Sequence, residues 1–63
     1  MTAEDTALRI GKVMARTGLT RSTIYRMMAA GEFPRQRRLA HRVAVWSERE
    51  VAQWLRKTLE RAA

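Results

Sequence analysis

Cysteine is missing from this chain, which excludes disulfides and thiolate metal sites. Histidine occurs once, at His41, so neither a His-rich metal site nor a Ser-His-Asp triad with a spare base is available. Acids are few: Glu4 and Asp5, then Glu32, then Glu48, Glu50 and Glu60. No paired carboxylates, glycine-rich phosphate loop or nucleophile–base pair emerges, so no catalytic residue is assigned and an enzyme is not expected. With three glycines and one proline there is no flexible linker or low-complexity tract. Uncharged runs such as Met27 to Gly31 and Val43 to Ser47 fall far short of the roughly 18 apolar residues a membrane span requires. Glu4 and Asp5 stand where a signal peptide would carry basic residues, so no secretory leader is expected. A domain of 63 residues buries only about 60% of the surface of its unfolded chain, enough for one modest core and no enclosed cofactor pocket. These absences leave a soluble domain of a reducing compartment, with no cofactor, no metal and no membrane in its expected repertoire.

What the chain has in excess is positive charge. Thirteen Lys and Arg face six acids, giving a net charge of +7, and eleven of the thirteen are Arg. The distribution is uneven. From Arg9 to Arg42 there are nine basic residues and the single acid Glu32, a balance of +8, while the remainder sums to −1. The planar guanidinium fork suits phosphates and guanine edges better than an ammonium does. Such asymmetry points to a polyanion partner; the plainer reading is a solvated basic surface.

Residues 1–7 lack periodicity and read as a frayed leader to a domain over residues 8–63. Lys12 to Thr17 is a short helical candidate that stops at Gly18, a residue suited to a left-handed C-cap. Thr20 is a good N-cap for a second helix from Arg21 to Ala30, which ends at Gly31. Winding that helix at 100° per residue sets Ile24, Met27 and Met28 inward. Ser22, Arg26 and Ala29 face outward, with Arg21, Thr23 and Tyr25 on the shoulders. Two helices joined by a Gly-containing turn, the second basic on its outer face, form a helix-turn-helix pattern. An ordinary αα-hairpin with a wet polar face has the same spacing, and the charge favours the DNA reading. Pro34 then bars further helix. Arg35 to Leu39 and Val43 to Trp46 flank Ala40-His41-Arg42, a spacing that allows a short β-hairpin with a three-residue tip. Ser47 and Glu50 form a capping box for a third helix, Trp46 and Val51 its staple. Val51, Trp54, Leu55 and Leu59 share the face that closes the core. On this reading Trp46 and Trp54 are core residues rather than base-stacking platforms, and Met14, Met27 and Met28 are core fillers.

The run Val13-Met14-Ala15-Arg16-Thr17-Gly18-Leu19-Thr20-Arg21-Ser22-Thr23-Ile24-Tyr25-Arg26 resembles the AlpA family of prophage regulators. The resemblance continues through Gly31-Glu32-Phe33-Pro34, Leu39, Arg42 and Trp46 to Glu50-Val51-Ala52-Gln53-Trp54-Leu55, and covers about residues 8 to 57. It implies a mainly α MerR-like winged helix-turn-helix, three helices and a two-stranded wing, related to phage excisionases. It implies too that residues 21–30 are the recognition helix, with Arg21, Ser22, Thr23, Tyr25 and Arg26 facing double-stranded DNA. Residues 35–46 would be the wing, bringing Arg35, Arg37, Arg38 and Arg42 to the backbone or minor groove. Either Arg21 or Arg26 could supply the main base contact. Three departures stand out: Ala40 where the family has Gly near the tip, Gln36-Arg37 where it often has Pro-Val, and Lys12 where an acid is usual. The function implied is a sequence-specific transcriptional regulator of prophage genes in a bacterial cytoplasm, at the nucleoid. An excisionase bending DNA for an integrase would use the same physics, with self-association on adjacent sites as a further expectation. A protein-interaction module whose basic face binds an acidic partner is the alternative from another class.

Overall fold

The computed structural model describes residues 4–62. In chain order it contains β1 (Ala7–Leu8), α1 (Ile10–Thr17), α2 (Arg21–Ala29), β2 (Arg37–Ala40), β3 (Val43–Ser47) and α3 (Glu48–Ala62). This is the mainly helical, hairpin-bearing arrangement of a winged helix-turn-helix. The sheet runs β1-β3-β2 with both pairings antiparallel, so the hairpin gains a third, two-residue strand that its sequence does not announce.

Each helix boundary has a local cause. α1 opens at Ile10, two residues before Lys12, because the Arg9 carbonyl already accepts from the Lys12 and Val13 N–H groups at 3.0 and 3.1 Å. It closes at Gly18, whose φ of 75° is the left-handed conformation a side chain would resist. At the head of α2 the Thr20 hydroxyl accepts from the Thr23 N–H at 3.3 Å and donates to the Thr23 hydroxyl at 2.9 Å. The tail of α2 is a Schellman motif around Gly31 (φ 75°): Gly31 donates to the Met28 carbonyl and Glu32 to that of Met27, at 3.0 and 2.8 Å.

The N-terminus of α3 is capped from two places. Glu50 N–H donates to the Ser47 hydroxyl at 3.2 Å, as the capping box requires. The Glu50 carboxylate makes no return bond to the cap; Asp5 brings a second carboxylate there, accepting from the Arg49 N–H at 3.1 Å and from the Ser47 hydroxyl. Thr6 supplies a carbonyl to the Glu48 N–H at 2.9 Å. Three amides that an uncapped helix leaves unpaired are thereby satisfied. Of the stretch read as a frayed leader, residues 1–3 lie outside the described residues, whereas Asp5, Thr6 and Ala7 are bound into the domain. The Ser47 hydroxyl and the backbone N–H groups of Arg49 and Thr6 hold the Asp5 carboxyl below its ordinary pKa.

The core is Leu8, Val13, Ile24, Phe33, Trp46 and Val51, with Ile10, Met14, Leu19, Met27, Met28 and Trp54 packed around it. Trp54 lies edge-on to Phe33 at 4.7 Å and donates its indole N–H to the Glu32 carbonyl at 2.8 Å. Both tryptophans therefore serve packing. The expected face of α3 is only partly engaged: Val51 is buried, Trp54 and Leu55 are half-buried, and Leu59 is 61% exposed. The core-facing role read for Leu59 is corrected: α3 packs against β3 and the core through its first turns, where Val51 is buried, and Leu59 lies two turns beyond that contact.

Candidate nucleic-acid interface

α2 owes its orientation to Ile24, which is fully buried, with Met27 and Met28 half-buried beside it. Anchoring those three positions turns Arg21, Ser22, Tyr25, Arg26 and Ala29 to solvent, and all five are exposed. No acid occurs in the helix. The side chains of Arg21, Ser22 and Arg26 make no hydrogen bond or ion pair among the described residues. Thr23 departs from this group: it is half-buried, and its hydroxyl is engaged with Thr20 in the cap.

Tyr25 brings this face to the hairpin. Its ring meets Trp46 edge-on with centroids 6.0 Å apart, and its hydroxyl donates to Gln36 Oε1 at 3.4 Å. The helix and the base of the hairpin thus share one junction. No sequence signal singles out Gln36 for it.

In the hairpin, strand alternation separates neighbouring arginines. Arg38 stands opposite Ala44 and shares the sheet face of Trp46, the face that meets Tyr25. Arg37 stands opposite Val45 on the other face. There its guanidinium donates to both oxygens of Glu50, at 3.1 and 2.8 Å. That pairing and the carboxylate's charge push the Arg37 pKa further up. Arg37 is therefore not brought together with the free arginines. Arg35 and Arg38 are exposed and unpaired among the described residues.

The tip differs from the three-residue turn expected. Ala40 pairs with Val43, leaving His41 and Arg42 as the connection, and a register shift between Arg38 and Ala40 places Leu39 in a bulge. Arg42 takes φ 65° and is the one non-glycine residue with positive φ among the described residues. The residue that the geometry would give to glycine is Arg42, not Ala40. The guanidinium of Arg42 stands exposed at the end of the hairpin, as does His41.

An acid-free helix face and a hairpin with exposed arginines on its stem and tip make a surface that can neutralise phosphates and present guanidinium forks to base edges. Among the described residues no cluster of three or more His, Cys, Asp or Glu could hold a metal ion, and no helix is long and apolar enough to cross a membrane. A family model described as "Prophage CP4-57 regulatory protein (AlpA)" matches residues 6–59. An uncharacterized protein, ORF88 of Enterobacteria phage P4, is 40% identical over 52 residues, which is 82% of this chain. The chain spans 59% of the length of that phage protein.

Proposed function

Because the chain belongs to the AlpA family of prophage regulatory proteins, we propose that it is a sequence-specific double-stranded DNA-binding protein acting as a transcriptional regulator of prophage genes. The observation that carries this reading is the juxtaposition just described, an acid-free exposed α2 face fixed through Tyr25 to an arginine-bearing hairpin. α2 enters the major groove, whose width of about 12 Å admits a helix about 10–12 Å across. Arg21 and Arg26 are the candidates for a bidentate contact to guanine, and Ser22 for a base edge or a phosphate. Tyr25 acts by position first, setting the angle between helix and hairpin, and offers its exposed edge to the backbone.

The hairpin supplies phosphate contacts through Arg35, Arg38 and Arg42, which add affinity without sequence information. Arg37 belongs to the fold on this reading, its charge answered by Glu50. Thr23 likewise serves the α2 cap. The test is an anisotropy titration of labelled duplex over a salt series, with the guanines of the duplex replaced by 7-deazaguanine in a second series. Binding whose log affinity falls linearly with log salt, and which loses its sequence preference without the guanine N7 acceptor, supports α2 in the major groove. A preference untouched by the 7-deaza substitution would place the readout elsewhere.

A further inference from the structure

The last turns of α3 carry apolar surface that no described residue covers. α3 extends about 22 Å at 1.5 Å per residue, and its packing is against β3 at its start. Leu59 stands exposed one turn past the half-buried Leu55. A single exposed leucine needs no explanation. Here, however, Ala52, Leu55 and Leu59 recur at i, i+3 and i+7, the spacing of a seam that receives another helix. Buried Val51 forms the floor, Arg16 of α1 and Arg56 of α3 form the sides, and together they outline an open groove of about 310 Å³. No acid and no residue of α2 or the hairpin lines it.

The charge on the rim selects the occupant. Arg16 is already paired with Glu48, while Arg56 has no partner among the described residues. A second copy of this chain fits poorly. It would bring another net charge of +7 against this one. We propose that this groove receives an amphipathic helix of a partner protein whose apolar seam is flanked by acidic side chains. Leu55 and Leu59 take its leucines and Arg56 meets its carboxylates. The groove stands apart from the α2 face, so the proposal does not rest on the DNA reading; where that reading holds, one molecule bridges a duplex and an acidic partner.

The test is an NMR titration of the isotope-labelled full chain with a synthetic helical peptide of about 15 residues, its leucines at i, i+3 and i+7 flanked by glutamates. Shifts are expected at Arg16, Ala52, Leu55, Arg56 and Leu59, with affinity falling about tenfold in Leu59→Ser, which removes most of one buried side chain's contribution, and falling again in Arg56→Glu. A peptide with lysines for glutamates should not bind. Leu59 is exposed, so Leu59→Ser should keep the fold by circular dichroism and should bind duplex DNA like the parent. Four results would overturn the proposal: no binding, equal binding of the lysine peptide, shifts confined to α2 and the hairpin, or sedimentation showing a dimer that Leu59→Ser abolishes. Failure of the parent chain to bind any duplex would sink the DNA reading and leave the groove standing.

Discussion

Arg42 allows stability and binding to be driven in opposite directions at one position. At φ 65° its Cβ crowds the following carbonyl oxygen, a conformation that costs a non-glycine residue about 1–2 kcal/mol. Glycine removes that crowding, while the greater freedom it gives the unfolded chain takes back about 0.4–1 kcal/mol. Arg42→Ala is the matched control, because it deletes the same guanidinium and keeps the Cβ. The difference between the two variants should be about 0.5–1 kcal/mol in favour of glycine. In a domain this small, 1 kcal/mol moves the melting midpoint by about 4–8 °C, so Arg42→Gly should melt about 2–8 °C above Arg42→Ala in a circular-dichroism scan. Binding should not follow stability. Each variant loses one phosphate-directed cation, so both should bind duplex DNA more weakly than the parent, with salt slopes reduced by about 0.9. Backbone strain retained at an exposed arginine is then explained by what the side chain contacts. Equal melting of the two variants would refute the strain, and parental salt slopes in both would refute the contact.

Further outcomes follow from the caps and the ion pairs. Ser47→Ala removes the acceptor for the Glu50 N–H and the donor to Asp5, and should cost about 1 kcal/mol in urea unfolding. Asp5 has a depressed folded-state pKa, so its contribution to stability is fully present above its unfolded value near pH 4. That contribution is lost as pH falls through the folded value; Asp5→Asn should flatten this part of the stability–pH curve. Glu50→Gln removes the partner of Arg37, but Arg37 stands on the sheet face away from α2, so the salt slope of DNA binding should stay at its parental value in the same anisotropy titration; a slope steeper by about 0.9 would show that Arg37 reaches a phosphate.

Local chemistry made much of the fold legible. Thr20 and Gly31 bound α2 because the Thr20 hydroxyl satisfies the free Thr23 N–H and Gly31 takes the left-handed turn that ends the helix. Ser47 likewise marks the start of α3. What the sequence conceals are contacts across distance. The Ser47 cap is reinforced by Asp5, 42 residues earlier than Ser47, while the Glu50 carboxylate is held by Arg37 instead of returning to the cap. β1 is too short to show a period, and forms because Leu8 is buried beside Trp46. In the site, helical winding exposes Arg21, Ser22 and Arg26 without help from tertiary structure. Thr23 is drawn into the cap that precedes it. The adjacent Arg37 and Arg38 look equivalent as a charge run until a period of two sends them to opposite faces. The hairpin connection is two residues, His41-Arg42, and not the three the spacing suggests, because the irregularity between Arg38 and Ala40 brings Ala40 into register with Val43, and no glycine or asparagine marks the turn.

The central claim is that the exposed face of α2 reads sequence. The most direct measurement is the ratio of affinities for a duplex from the neighbouring genomic region and for a scrambled duplex, taken at one salt concentration for the parent and for Arg26→Ala. A guanine-directed fork at Arg26 supplies about 1–3 kcal/mol of discrimination, so its loss should shrink that ratio by about 5- to 150-fold while leaving much of the affinity for scrambled DNA. An Arg26→Ala variant that loses affinity equally on both duplexes would contradict the claim, reducing the face to a phosphate-binding surface.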